Sequence, residues 1–154
     1  MVVITPANLL DLDRLSELET QLFMSEQIST RQFRYLLTKA NSIVVIAEHK
    51  DQLLGYMVLL KRKTSQHLRI YSIGVHRAAR KNGIAKRLIS YAEQQARDHH
   101  LSKITLEVSI KNHPAIQFYL SSGFSLHGEK LEYYEDGCTA LLFQKKIPEQ
   151  EKTT

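Results

Sequence analysis

The chain has 154 residues, enough for one ordinary domain with a sizeable core. Its 43% hydrophobic and 24% charged residues are those of a water-soluble globular protein. No apolar run approaches the ~20 residues of a membrane span, and the first six residues lack the basic and apolar regions of a signal peptide, so a cytoplasmic location is expected. The net charge of +5 suits an anionic ligand without selecting one. The single cysteine, Cys138, excludes an internal disulfide and a cysteine-based metal site, and reads as a small strand residue.

Val2-Val3-Ile4 reads as a first strand ended by Pro6. Asn8 or Asp11 then caps a helix, whose Leu12, Leu15, Leu18, Leu22 and Phe23 recur at helical spacing. Asp13, Arg14, Glu17 and Glu19 fall between them. Ser29 or Thr30 caps a second short helix with Phe33, Leu36 and Leu37 on its apolar face, stopping near Ala40-Asn41. The β-branched run Ser42 to Glu48, the turn His49 to Gln52 and the return run Leu53 to Leu60 predict a hairpin. Residues 61–67 form a basic loop without interleaved aromatics, which favours a solvated loop over a nucleic-acid patch. A strand follows from Leu68 to Val75, in which Gly74 marks a bulge or a close backbone approach.

From Ile84 to His100 the pattern is helical, with Ile84, Leu88, Ala92 and Ala96 on the buried face and Lys86, Arg87, Glu93, Gln94 and Arg97 in water. The terminal His99-His100 reads as cations at a helix C-terminus in preference to a metal pair. Ile104 to Ser109 is a strand with Ile104, Leu106 and Val108 on one face and Thr105, Glu107 and Ser109 on the other. Pro114 to Ser122 is a helix preceded by Asn112 and closed by Gly123. Phe124-Ser125-Leu126 is a short strand, Gly128-Glu129-Lys130 a turn, and Glu135-Asp136-Gly137 a second turn before a last strand from Cys138 to Lys145. The order predicts an α/β domain over residues 1–147, with a single mixed, mostly antiparallel sheet flanked by helices, and a polar tail over 148–154.

Chemistry concentrates where the strand Leu68 to Val75 passes into the helix from Ile84. The connecting loop holds Arg80, Lys81, Asn82, Gly83 and Ala85. A glycine there lets backbone approach a ligand, and the free N–H groups of a helix's first turn favour an anion. Lys81, Lys86 and Arg87 add positive charge. The loop reads either as a phosphate or pyrophosphate cradle or as a tight turn with a solvated basic face. With one glycine and no Gly-Lys-Ser/Thr it is neither a Walker A motif nor a dinucleotide fingerprint.

Arg80-Lys81-Asn82-Gly83-Ile84-Ala85 matches the Arg/Gln-x-x-Gly-x-Gly/Ala signature of the GNAT superfamily of acetyl-CoA-dependent N-acetyltransferases. The element order resembles that fold over nearly the whole chain. Four further pieces resemble the ribosomal-protein-alanine and related N-terminal acetyltransferases: Leu106-Glu107-Val108; Asn112 through Ala115-Ile116 to Phe118-Tyr119; Gly123-Phe124; and Tyr133-Tyr134 with Asp136-Gly137. Two stretches depart from them. Leu22-Phe23-Met24-Ser25 carries neither the usual proline nor the tryptophan, and Cys138-Thr139-Ala140 replaces an Asp-Ala.

The resemblance implies coenzyme A pyrophosphate on the loop amides from Arg80 to Lys86, with Ile73, Gly74 and Val75 pairing with pantetheine and Asn112 touching the cofactor. It implies Glu107 as general base, Tyr119 as general acid, and Tyr133 and Tyr134 lining the acceptor site. Each residue also has a structural reading: Glu107 as a salt-bridged strand residue, Tyr119 as a core aromatic, Asn112 as a helix cap, and the tyrosine pair as strand aromatics. The expected activity is direct acetyl transfer to a primary amine in a ternary complex, since no cysteine sits near the proposed centre. A protein or peptide N-terminal α-amine is the expected acceptor. A small amine is the alternative, which Glu129, Glu132, Glu135 and Asp136 could attract, and a silent acyl-CoA-binding module is a further one. No metal, nucleic acid or membrane partner is expected, and the protein is expected to be a monomer or homodimer.

Overall fold

Seven strands make one mixed sheet: β1 (Val3–Pro6), β2 (Ser42–His49), β3 (Gln52–Lys61), β4 (His67–Val75), β5 (Lys103–Ser109), β6 (Ser125–Lys130) and β7 (Ala140–Lys146). Their spatial order is β1-β2-β3-β4-β5-β7-β6, and every neighbouring pair is antiparallel except β4 and β5. The structure is a computed structural model that describes residues 1–24, 26–39 and 41–148. Ser25, Ala40 and the tail expected after Pro148 lie outside those residues.

Local chemistry accounts for most of these elements. Pro6 pairs with Val45 as the last residue of β1, where an edge strand tolerates the missing N–H. Lys50 and Asp51 take φ of 51° and 65°, the left-handed pair that closes a tight hairpin between β2 and β3. Asn8 caps a 3-10 turn, Leu9–Asp11, that leads straight into helix α1 (Leu12–Leu22). Ser29 and Gln32 form a capping box that starts helix α2 (Thr30–Thr38), each side chain bonding the other's backbone N–H. Helix α3 (Ile84–Asp98) ends before His99 and His100, and His100 has a φ of 56°.

The sheet has a core on each face. Under α1 and α2, Leu15 and Phe33 pack with Val44, Ile46, Tyr56 and Val58. On the other face, Leu88, Ala92 and Ala96 of α3 pack on Val45, Met57, Leu59 and Ile104. Each leucine fully buried in this way contributes about 1.5–3 kcal/mol. Helix α4 (His113–Ser121) joins this second core through Tyr119, which packs with Phe124 and Phe143.

Three expectations change. Residues 128–130 belong to β6, because Gly128 pairs with Leu142 and Lys130 with Ala140; the irregularity falls at His127, between Leu126 and Gly128. Cys138 is buried but precedes β7, in a turn where Tyr133 and Tyr134 donate to its carbonyl. The bulge in β4 is at Tyr71, skipped where Val58 pairs with Ser72 and Leu59 with Ile70. Gly74 answers the other requirement, close approach: a Cβ there would lie 2.7 Å from Leu22 Cδ1 and 2.9 Å from Tyr56 Cε1.

The Tyr71 bulge matters for the site. β4 and β5 pair only from His67–Ile70 to Lys103–Leu106, yet β4 continues to Val75 and β5 to Ser109. A bulge bends its strand. Beyond Ile70 the two strands part, each held by its outer neighbour: β4 by β3 as far as Val75 and β5 by β7 as far as Ser109. The wedge between them exposes strand edges in the middle of a sheet.

Candidate active site

A cleft of ≈ 970 Å³ fills that wedge. Ile73, Gly74 and Val75 form its β4 side, and Glu107, Val108 and Ser109 its β5 side. Arg80, Lys81, Gly83, Ile84, Ala85 and Lys86 close the α3 end, Asn112, Phe118 and Tyr119 the α4 side, and Tyr134 the β6–β7 connection. The structure thus gathers nearly all of the residues singled out above around one cavity. Asn82 and Tyr133 do not line it; Asn82 is exposed on the outer side of the loop.

The basic loop leaves backbone donors open toward the cleft end of α3. Lys81 and Gly83 have φ of 73° and 75°, turning the backbone left-handed just before α3. Gly83 is the N-cap and supplies no side-chain cap. The first backbone bond of the helix is Arg87 N–H to the Gly83 carbonyl at 3.0 Å, so the Ile84, Ala85 and Lys86 amides have no partner inside the helix. Nothing lies within 4 Å of a Cβ built on Gly83. Arg87 is the exception to the expected charge cluster. Its guanidinium donates to the carbonyl of Val2, the residue before β1, at 2.7 Å. Free amides, an open backbone and the side chains of Arg80, Lys81 and Lys86 fit a pyrophosphate, and the unpaired edge of β4 fits the amide-bearing arm of coenzyme A.

Glu107 is ion-paired, and it also faces the cleft. Arg69 Nε donates to its Oε2 at 3.1 Å, and Lys130 Nζ stands 4.0 Å from its Oε1. Arg69 also donates to the Tyr133 hydroxyl at 3.4 Å. Tyr133 is therefore a neighbour of the site, with its ring edge-on to Tyr134 at 5.0 Å between centroids.

Tyr119 is 6% exposed, its ring edge-on to Phe118 and Phe124. Among the described residues no group bonds its hydroxyl. Burial pushes its phenol well above the ordinary value, and Tyr134 adds to the shift. Tyr134 is pushed up to about 12 by burial first, then by Tyr133, Glu107 and Glu26, against Arg69. Tyr134 thus stands within electrostatic reach of both Glu107 and Tyr119. Asn112 also serves two ends, lining the cleft while its Oδ1 accepts the Ala115 N–H at 3.3 Å as the cap of α4.

Sequence reasoning missed Leu22, Phe23 and Glu26, which form the wall beneath α1, together with Tyr71, Ser72 and Arg69. The available signal was Phe23, which extends the apolar stripe of α1 one residue past the helix end. Glu19, read as a polar residue between apolar positions, is 1% exposed. Among the described residues no group of three or more His, Cys, Asp or Glu side chains could hold a metal ion. Among the same described residues, no helix is long and apolar enough to cross a membrane.

The acetyltransferase (GNAT) family matches residues 10–124. Among curated proteins, the chain is 31% identical over 86 residues to the 5-NmdU N-acetyltransferase of Pseudomonas phage PaMx11, spanning 56% of this chain and 59% of that protein. It is 29% identical to the N-alpha-acetyltransferase MAK3 of Arabidopsis thaliana over 84% of this chain and 74% of the relative. Over 90% of this chain and 91% of the relative, it is 26% identical to a putative [ribosomal protein bS18]-alanine N-acetyltransferase of Bacillus subtilis. The fold superposes on the ribosomal-protein-S18-alanine N-acetyltransferase of Escherichia coli with a TM-score of 0.87, covering 100% of this chain and 99% of that one at 17% identity. The chain belongs to the acetyltransferase (GNAT) family. It is an N-acetyltransferase, and its donor is acetyl-CoA.

Proposed function

We propose that the acceptor is the α-amine of a protein or peptide N-terminus, acetylated directly in a ternary complex by a cytoplasmic protein whose catalytic domain spans residues 1–147 as a monomer or homodimer. The observation that carries the acceptor reading is the charge around Glu107. Arg69 and Lys130 flank this carboxylate, so the acceptor end is not a strongly acidic trap for a multiply charged small amine. Of Glu129, Glu132, Glu135 and Asp136, the residues that could have made such a trap, Asp136 alone lines the cleft. The names of the Arabidopsis and Bacillus relatives support the same acceptor class. The buried Cys138 does not line the cleft, which supports direct transfer without an acetyl-enzyme.

Acetyl-CoA supplies the acetyl group as a thioester. Arg80, Lys81, Lys86 and the amides of the first turn of α3 hold its anionic end, and Asn112 flanks it. Glu107 takes a proton from the acceptor nitrogen, which attacks only when neutral. Tyr119 serves the departing sulfur. A thiol of ordinary pKa ~8.5 leaves readily as a thiolate, and a phenol held above its usual value keeps its own proton. Tyr119 therefore donates a hydrogen bond and does not transfer the proton.

Two outcomes test this reading. Peptides with a free α-amine should outcompete lysine side chains and spermidine at pH 7, because an α-amine of pKa ~8 is neutral far more often than one of ~10.4. A clear preference for spermidine over every peptide in a thiol-release assay overturns the acceptor assignment. Tyr119→Phe should lower kcat about ten-fold or more, with acetyl-CoA affinity and Tm barely changed, because the lost hydroxyl leaves no protein group unpaired. Near-normal turnover would return Tyr119 to the core.

A further inference from the structure

Two ionisable carboxyl side chains among the described residues are buried, Asp11 and Glu19. Asp11 is engaged with Arg14 and with the Asn8 N–H at the start of the chain's first helical turn. Glu19 has no cationic partner. Its Oε2 accepts the Ile28 N–H at 2.7 Å, and its Oε1 accepts the Tyr56 hydroxyl. The Tyr56 oxygen in turn lies 2.8 Å from Ser72 Oγ, and Ser72 lines the cleft. A carboxyl group, a phenol and a serine hydroxyl thus run in an unbroken file from the interior under α1 to the β4 wall of the wedge.

The proton inventory of these groups fixes the direction of the file. The phenol has one proton, and so has the serine hydroxyl. When Glu19 is ionised, Tyr56 donates to it, Ser72 donates to Tyr56, and Ser72 has only lone pairs left for the cleft. When Glu19 is protonated, each bond reverses and Ser72 offers a proton to the cleft instead. The file therefore has two polarities, and passing from one to the other moves one proton along its whole length. Burial raises the affinity of Glu19 for a proton, while the Tyr56 and Ile28 bonds restrain it.

The reaction needs such an outlet. An α-ammonium becomes an amide nitrogen by losing two protons, and Glu107 accounts for one of them. Tyr119 takes none. We infer that Ser72, Tyr56 and Glu19 form the second outlet, receiving the other proton of the acceptor nitrogen on the face of the sheet covered by α1. The nitrogen's N–H bond breaks toward Ser72 Oγ and leaves its electron pair on nitrogen. The Ser72 proton passes to the Tyr56 oxygen, and the Tyr56 proton to Glu19 Oε1. Three bonds to hydrogen break and three form, and the net change is one proton moved from nitrogen to Glu19. Once the product has left, the reverse shift returns that proton to water in the cleft. Ser72 is the member that touches substrate; Tyr56 and Glu19 act through it. This inference rests on the reading of the cleft as the site where the amine reacts.

Ser72→Ala is the decisive variant, because it cuts the file at the cleft and leaves Tyr56 bonded to Glu19. Assayed with whichever of an α-amine peptide or spermidine turns over, kcat should fall about ten-fold or more. The Kd for acetyl-CoA in calorimetry and the Tm should hold. The proton inventory in H2O–D2O mixtures should pass from bowed, with several protons in flight, to linear. Ser72→Thr, which keeps the hydroxyl, should restore both rate and curvature. Wild-type kcat in Ser72→Ala, an unchanged proton inventory, or failure of Ser72→Thr to recover activity overturns the outlet. A failure of the acceptor reading is separate: spermidine then replaces the peptide as the working acceptor, and the same comparison still decides the role of Ser72.

Discussion

Glu107→Gln is expected to slow acetylation of an α-amine peptide by about 10²–10⁴-fold at neutral pH, the usual cost of removing a general base. Glutamine keeps the shape of the side chain and a carbonyl oxygen for the Arg69 Nε–H, now 3.1 Å from Oε2. It cannot hold a proton. The deficit should shrink as pH rises, because a growing share of the amine is already neutral and needs no acceptor for its first proton. Stability should change little: the Arg69–Glu107 pair is partly solvated, and pairs of that kind contribute roughly 0–1 kcal/mol. Turnover at the wild-type rate near pH 7 would leave Glu107 with its ion pair and nothing more.

Gly83→Glu should weaken acetyl-CoA binding by about 10²-fold or more in calorimetry. A carboxylate about 4 Å from an anionic phosphate costs about 4 kcal/mol at the screening typical near a protein surface. Nothing crowds the new side chain, since no atom lies within 4 Å of its Cβ position. The φ of 75° adds the left-handed penalty of any non-glycine residue, about 1–2 kcal/mol. Gly83→Ala carries that strain without the charge, and comparing the two variants isolates the electrostatic part. Unchanged affinity in Gly83→Glu would sink the assignment of this loop as the pyrophosphate cradle.

How much of this was legible in the sequence depended on whether the cause was local. Ser29 and Gln32 announce α2 because a capping box is written in four consecutive residues. The alternation of Ile104, Leu106 and Val108 with Thr105, Glu107 and Ser109 announces a strand with one dry face, and their burial follows it. The loop at Arg80 to Ala85 was legible for the same reason. Where the cause is a distant partner, local reading failed. Gly128 and Lys130 look like a turn until β7 offers Leu142 and Ala140 to pair with. Gly74 was legible as a bulge or a close approach, but it is Leu22, 52 positions earlier, that makes it the second, and the strand bends instead at Tyr71, a residue with no irregular signature of its own. Glu19 reads in sequence as a polar position between apolar ones, and its burial shows only through Tyr56 and Ile28. The cleft wall at Leu22, Phe23 and Glu26 is another product of assembly: it exists because α1 ends against β4.

The short pairing between β4 and β5 also bears on how the protein persists in the cell. Four residue pairs join strands β1–β4 to strands β5–β7, at His67–Ile70 with Lys103–Leu106. Just before the seam the Ser102 N–H donates to the Gln66 carbonyl at 2.8 Å; past Ile70, along the wedge, no strand pairing crosses among the described residues. Whatever occupies the wedge is therefore mortar as well as reactant, since it bridges edges that the polypeptide leaves open. A ligand that binds the folded chain and not the unfolded one adds RT ln(1 + [L]/Kd) to stability, about 2.7 kcal/mol at a hundred times Kd. With acetyl-CoA seated in the wedge, as proposed above, the donor would also raise the resistance of the fold to unfolding and proteolysis, and Tm should climb with its concentration.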